Sequence, residues 1–199
     1  MSTRPPSVLF FDVMNTLVYD PIEEEIPRFF GLSLDRLYAQ KHPTAWVDFE
    51  RGELSESMFY EIYFPDSPQP IDGDALRKVL FDAYRFLDGV EPLLEQLRNT
   101  DVVLYALSNY PVWFEIIEEK LALSRYLRWD FVSCKTGHRK PDPRAYLVAT
   151  SGADVSPEDS LFVDDRQSNC TGARDVGMDT ICFQDARQLR TELTRRGLL

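Results

Sequence analysis

Five short, mostly apolar stretches do the most to restrict how this chain can fold: 7–11, 102–107, 131–134, 161–163 and 180–183. A strand with one wet face alternates apolar and polar side chains. A strand covered on both faces does not, so these continuous runs predict buried parallel strands. Helical patterns lie between them. Asp88 and Glu91 have the spacing of a capping box ahead of Leu93, Leu94 and Leu97. Apolar residues at 113, 116, 117, 121 and 123 predict a helix over 113–123, and Asp142 before Pro143 reads as an N-cap and first turn. Asp185 and Gln188 form a second capping-box spacing before a helix that Gly197 closes. Strands alternating with helices predict an α/β fold, a doubly wound parallel sheet with helices on both faces.

The alternation fails once. Residues 19–87 hold no convincing strand but four helical stretches, 33–40, 44–51, 55–64 and 74–87, the last with Leu76, Val79, Leu80, Ala83 and Leu87 on one face. The expected organisation is a catalytic core of residues 1–18 and 88–199 interrupted by a helical cap of residues 19–87.

Composition excludes several classes of function. With 22 Lys+Arg against 33 Asp+Glu the net charge is −11, which argues against a nucleic-acid binder. The one basic cluster, Lys135, His138, Arg139, Lys140 and Arg144, is a place where a small anion would be drawn. No apolar run approaches the roughly 20 residues of a membrane span, and 1–7 has no signal-peptide pattern. Cys134, Cys170 and Cys182 have neither disulfide-framework nor zinc spacing, so a reducing, cytoplasmic location is expected. Two histidines, His42 and His138, are too few for a histidine-rich metal site. The oligomeric state cannot be read.

Ligands of an open parallel sheet sit at the carboxyl ends of its strands. Asp12 follows the first run, Ser108 and Asn109 the second, and Asp164 and Asp165 the fourth, while Arg139, Lys140, Pro141 and Asp142 lie in the loop beyond the third. Three carboxylates, a hydroxyl and a lysine are thus expected at one edge. That set suits phosphoryl transfer. Carboxylates are hard oxygen ligands for Mg²⁺, and a metal makes their crowding tolerable. Asp12 could attack phosphorus, with Ser108 and Lys140 holding the phosphoryl oxygens.

The motifs Asp12-Val13-Met14-Asn15-Thr16, Ser108-Asn109, Arg139-Lys140-Pro141-Asp142-Pro143 and Phe162-Val163-Asp164-Asp165-Arg166, followed by Gly172-Ala173-Arg174-Asp175-Val176-Gly177-Met178, resemble in order those of the haloacid dehalogenase-like (HAD) superfamily, over nearly the whole chain. The resemblance implies a Rossmann-like core with a mobile cap, Asp12 as nucleophile, Ser108 and Lys140 as phosphate-binding residues, and Mg²⁺ held by Asp12, Asp165 and the main-chain carbonyl of Met14, with Asp164 acting mainly through metal-bound water. Phosphatases of the superfamily usually carry a second Asp at the place of Met14, where it protonates the leaving group. A thioether cannot, so a cap residue is a candidate substitute: His42, Asp48 or Glu50. Phe11-Asp12-Val13-Met14, Lys41-His42-Pro43, Asn109-Tyr110-Pro111-Val112-Trp113 and the Lys140 motif look like those of plant-type plastid flavin mononucleotide (FMN) phosphatases, which share the Met. Asn109, Tyr110 and Trp113, directly after the second strand, are the expected substrate contacts, the two rings as stacking surfaces for a flavin. The function expected is a Mg²⁺-dependent phosphomonoester hydrolase acting through an aspartyl-phosphate on a small phosphorylated metabolite such as FMN. The alternatives are a metal-free haloacid dehalogenase, disfavoured by the retained Asp164-Asp165 pair, and a catalytically weak protein that binds a ligand or partner.

Overall fold

Strand β1 (Val8–Phe11) is the middle of a five-stranded parallel sheet in the computed structural model, which describes residues 5–67 and 69–199. The remaining strands are β2 (Val103–Ser108), β3 (Arg128–Val132), β4 (Ser160–Asp164) and β5 (Asp179–Cys182), in the order β3-β2-β1-β4-β5. The chain winds outward from β1 through β2 to β3, then crosses to β4 on the other side of β1. The carboxyl ends of β1 and β4 therefore flank the point where the winding reverses, which opens a crevice there. Residues 1–4, part of the expected core segment, fall outside the described residues.

Period-two alternation within buried strands explains the two-layer packing. Leu9 and Phe11 join Leu104, Ala106, Leu161 and Val163 on one face, whereas Val8 and Phe10 join Tyr105, Leu107 and Phe162 on the other. The first face is covered by α6 (Val90–Arg98), α7 (Phe114–Leu121) and α11 (Ala186–Arg195), through Leu93, Ile117 and Leu189. The second is covered by α9 (Pro143–Gly152) and α10 (Gln167–Asp175), through Tyr146, Ala149 and Ala173. Each fully buried Phe or Leu contributes about 1.5–3 kcal/mol of transfer free energy.

Between β1 and β2 come five helices before α6: α1 (Glu25–Phe29), α2 (Leu34–Gln40), α3 (Ala45–Glu50), α4 (Glu56–Ile62) and α5 (Gly73–Ala83). Ser33, Ser55 and Asp72 cap α2, α4 and α5 by accepting a hydrogen bond from the amide three residues on. The helix expected over 74–87 stops at Ala83. Beyond it the chain is extended: Tyr19 N donates to Arg85 O and Leu87 N to Leu17 O, so 84–87 is held beside 17–19. Side-chain hydrogen bonds among the described residues join this segment to the core. The Tyr84 and Tyr110 hydroxyls lie 2.5 Å apart, Trp113 Nε1 donates to Glu56 Oε1 at 2.6 Å, Lys120 Nζ donates to Phe81 O and Ser133 Oγ to Glu50 O.

Two further local expectations are corrected. Helix α6 has Gly89 as its N-cap, at φ +77°, with no side-chain cap, so Asp88 is not the capping residue. The third strand is 128–132 rather than 131–134; it is an edge strand whose Arg128 and Asp130 face outward, hiding the apolar continuity sought there. The chain then turns at once into the short α8 (Ser133–Thr136). Asp142 and Asp185 do cap α9 and α11.

Candidate active site

The crevice gathers residues from four strand ends. Asp12 follows β1 with its amide donating to Val163 O at 2.8 Å, which fixes its backbone against β4. Asp164 ends β4, fully buried, and Asp165 follows. One carboxylate oxygen from each of Asp12, Asp164 and Asp165 lies within 4.8 Å of the others. Lys140 inserts its ammonium between two of them, 2.8 Å from Asp12 Oδ1 and 2.6 Å from Asp164 Oδ2. Its backbone is positioned from β2: Lys140 N donates to Asn109 Oδ1, and Asn109 Nδ2 donates to Lys140 O, each at 2.8 Å. Asp164 also accepts from Arg166 N and from Asn169 Nδ2.

The electrostatics are those of an overcrowded acid site. Burial raises the Asp12 carboxyl above the ordinary range; Lys140 pulls it down and Asp164 pushes it up again. Asp165 is raised by burial and by Asp164. Burial works against the Lys140 ammonium, but Asp12 and Asp164 more than compensate and hold it charged. Among the buried oxygens of the described residues that have no hydrogen-bond partner are Asp165 Oδ1 and Ser108 Oγ. An unpartnered carboxylate oxygen beside two further carboxylates fits a hard divalent cation, and a buried hydroxyl at the next strand end fits an oxyanion. The donor set therefore fits Mg²⁺.

A cavity of about 260 Å³ opens over Asp12 and Lys140. Met14, Asn109 and Tyr110 line it from the core, with Arg139 and Arg166. The helices between β1 and β2 supply Leu37, Tyr38, Trp46, Glu50 and Tyr63. Of the expected substrate contacts, Asn109 reaches the cavity, though its amide is occupied by the Lys140 backbone. Tyr110 also reaches it, with its hydroxyl paired to Tyr84. Trp113 does not line it. Its indole is 1% exposed, packed edge-on against Phe49 and Phe59 and bonded to Glu56, so it joins the helical layer to the core. Trp46 is on the cavity instead.

The basic cluster does not assemble as one anion site. Lys140 is buried among carboxylates, Arg144 pairs with Asp142, Lys135 donates to Trp129 O, and only Arg139 and Lys140 reach the cavity. Asp20, which belongs to none of the motifs, and Arg166, which only closes one, also line the cavity, a placement set by tertiary contacts. Asp20 lines the cavity with its carboxyl pushed by burial up to about 6, one oxygen accepting from Ile22 N.

A family model described as a haloacid dehalogenase-like hydrolase matches residues 6–177. The chain is 40% identical over 195 residues to flavin mononucleotide hydrolase 1 of the chloroplast of Arabidopsis thaliana, spanning 98% of this chain and 79% of that one. Among solved structures, a HAD family enzyme of Bacteroides thetaiotaomicron in a magnesium complex superposes with a TM-score of 0.78 at 17% identity, covering 96% of this chain and all of the other. A dehalogenase also superposes, with a TM-score of 0.62 at 18% identity over 90% of this chain and 85% of its own, so the fold alone does not select the reaction.

Proposed function

This chain belongs to the haloacid dehalogenase-like hydrolases, and from that premise we propose that it is a magnesium-dependent phosphomonoesterase acting on a small phosphorylated metabolite of the FMN type. The observation that carries the reading is the arrangement of Asp12, Asp164 and Asp165 around the Lys140 ammonium, with a buried Asp165 oxygen left unpartnered. A reaction that needs only one carboxylate nucleophile gives no reason to bury three acids together.

In this reading Asp12 attacks phosphorus and the ester P–O bond breaks, leaving an aspartyl-phosphate that water then hydrolyses. Lys140 Nζ and Ser108 Oγ hold the phosphoryl oxygens, and Asn109 fixes the lysine through its backbone. Asp12, Asp165 and the Met14 carbonyl would hold Mg²⁺, with Asp164 beside them. When bound, the ion supplies the positive charge that keeps the crowded carboxylates ionised. Residues 19–87 act as the cap that excludes water from the transferring group. Trp46, Tyr38 and Tyr63 offer flat apolar surfaces suited to an aromatic ring system. Three unpaired thiols fit a reducing compartment such as the cytoplasm. None of the described helices is long and apolar enough to cross a membrane.

Met14 favours a second reading. It lines the cavity and presents a thioether where a carboxyl could serve as proton donor, which suits a protein that binds a phosphorylated ligand without turning it over. The deciding experiment is a screen of phosphorylated metabolites, FMN included, with Mg²⁺ and with chelator. Mg²⁺-dependent phosphate release is expected. Full hydrolysis in chelator overturns the metal role, and saturable binding without release supports the second reading.

A further inference from the structure

An alkyl phosphate ester leaves a strongly basic alkoxide, so its cleavage needs a proton donor at the leaving oxygen, and hydrolysis of the aspartyl-phosphate needs a base for water. Met14 can be neither. Of the three cap residues that could substitute, two are committed elsewhere. His42 Nδ1 accepts from Ala45 N at 3.2 Å and so caps the start of α3, and Asp48 Oδ2 accepts from Thr44 Oγ1 at 2.7 Å. Neither lines the cavity over Asp12. Glu50 does, one turn along α3 from Trp46, which the i, i+4 spacing places on the same face.

Its setting is that of a held proton carrier. Glu50 is 5% exposed, and Oε2 lies in ion contact with Arg139 Nη2, in an alignment that makes no hydrogen bond. Arg139 is the residue next to Lys140, so the carboxyl is pinned beside the phosphate-binding lysine. The backbone is fastened as well. Ser133 Oγ donates to Glu50 O at 2.5 Å and accepts from Tyr110 N at 3.0 Å, which ties the end of α3 to the turn after β2. Two residues on, Gly52 lies so near the core that a Cβ would sit 2.4 Å from Cys134 O. Of the other cap carboxylates on the cavity, Asp20 is held in its own turn by Ile22 N, and Glu23 is exposed.

We infer that Glu50 is the catalytic acid and base of this site, doing from the cap what position 14 cannot. The assignment rests on the phosphomonoesterase reading. In the first step Asp12 forms a bond to phosphorus, the ester P–O bond breaks, and the Glu50 proton goes to the leaving oxygen. In the second, Glu50 takes a proton from the water whose oxygen bonds phosphorus, the P–O bond to Asp12 breaks, and phosphate leaves with Glu50 again protonated. Burial supports this role by pushing the Glu50 carboxyl up to about 7 against the pull of Arg139, near the optimum for transfer in both directions.

The test is rapid-mix kinetics of the full chain with Mg²⁺ on p-nitrophenyl phosphate, whose leaving anion is stable, and on FMN, whose leaving alkoxide is not. Glu50→Gln is expected to release one burst of p-nitrophenol per enzyme, followed by turnover slowed roughly 10²- to 10⁴-fold, with acid-quenched protein carrying phosphate on Asp12. On FMN it should show no burst and be slowed in the first step. Glu50→Asp should fall between the two, and adding Met14→Asp to Glu50→Gln should restore turnover. Asp48→Asn, on the same helix but off the cavity, should behave as wild type. An active wild type with an unimpaired Glu50→Gln variant overturns the assignment alone, as does equal slowing on both substrates without a burst. A wild type that hydrolyses no monoester removes the underlying reading and the assignment with it.

Discussion

The Asn109 side chain pairs with the Lys140 peptide as one strand pairs with another, donating to its carbonyl and accepting from its amide at 2.8 Å each. The residue after the β2 hydroxyl is thereby the one that aims the lysine. Each such bond contributes about 0.5–1.5 kcal/mol net, so Asn109→Ala should lose about 1–3 kcal/mol in urea unfolding. Turnover should fall on the order of 10²-fold, the penalty for a misplaced charged group, with KM little changed. Asn109→Asp, which keeps the acceptor and loses the donor, should fall between.

The proposed Mg²⁺ site has a thermal signature. Melting followed with rising Mg²⁺ should show stabilisation, reaching about 2.7 kcal/mol at a hundredfold excess over Kd. Asp165→Asn removes the unpartnered buried oxygen's charge and should abolish that shift while melting normally in chelator. An unchanged Mg²⁺ response in the variant would exclude Asp165 as a ligand.

Asp12→Asn should eliminate turnover, since an amide is not a competent nucleophile, yet fold, since one of three crowded carboxylates is gone and Lys140 keeps Asp164 at 2.6 Å. Product release above background, together with a native circular dichroism spectrum, would contradict the covalent route.

Glu50 should leave a signature in stability against pH. Its carboxyl titrates near 7 in the folded chain and near 4.5 when unfolded. Between those values the folded state binds the extra proton, so this group lowers stability as pH rises from 4.5 to 7 and has no further effect above. The charged groups facing it are Arg139 and Arg166, with the Tyr110 phenol also near. Relative to wild type, Glu50→Gln should therefore gain stability across that window, by about 3 kcal/mol at most. A difference that is flat from pH 4.5 to 7 would contradict the shift.

Gly52→Ala tests the docking of α3. At φ +73°, with a Cβ forced to within 2.4 Å of a backbone carbonyl, the substitution cannot be absorbed by a side chain turning away. A loss of about 1–3 kcal/mol in denaturant unfolding is expected, with turnover reduced because Glu50 moves with the turn.

The sequence made the core side of the site legible because apolar runs end abruptly on charge. Asp12, Ser108, Asp164 and Asp165 each sit where a buried strand meets the crevice, and Lys140 is two residues before a readable helix cap. The edge strand β3 is masked in the sequence because its outward residues alternate, and α1, with Pro27 inside it and no side-chain cap, carries no start signal. Trp113 and Trp46 could not be distinguished by local pattern; which ring packs inward depends on how α3 and α4 lie on α7. For the same reason local pattern does not distinguish Glu50 from His42 and Asp48, whereas tertiary contacts place only Glu50 of the three on the cavity.

The pairing of β1 with β4 has a consequence for biosynthesis. Of the five strands, β1, which leads into Asp12, is made first, and one of its two partners, β4, only fourth. Until then β1 has β2 on one side and an open edge on the other, and Lys140 lacks the Asp164 that shares its charge. Such an edge is a template for pairing with another chain. A truncated product ending before Ser160 would hold most of the cavity wall but no acid cluster, and would be exposed to aggregation or proteolysis rather than a partly active enzyme.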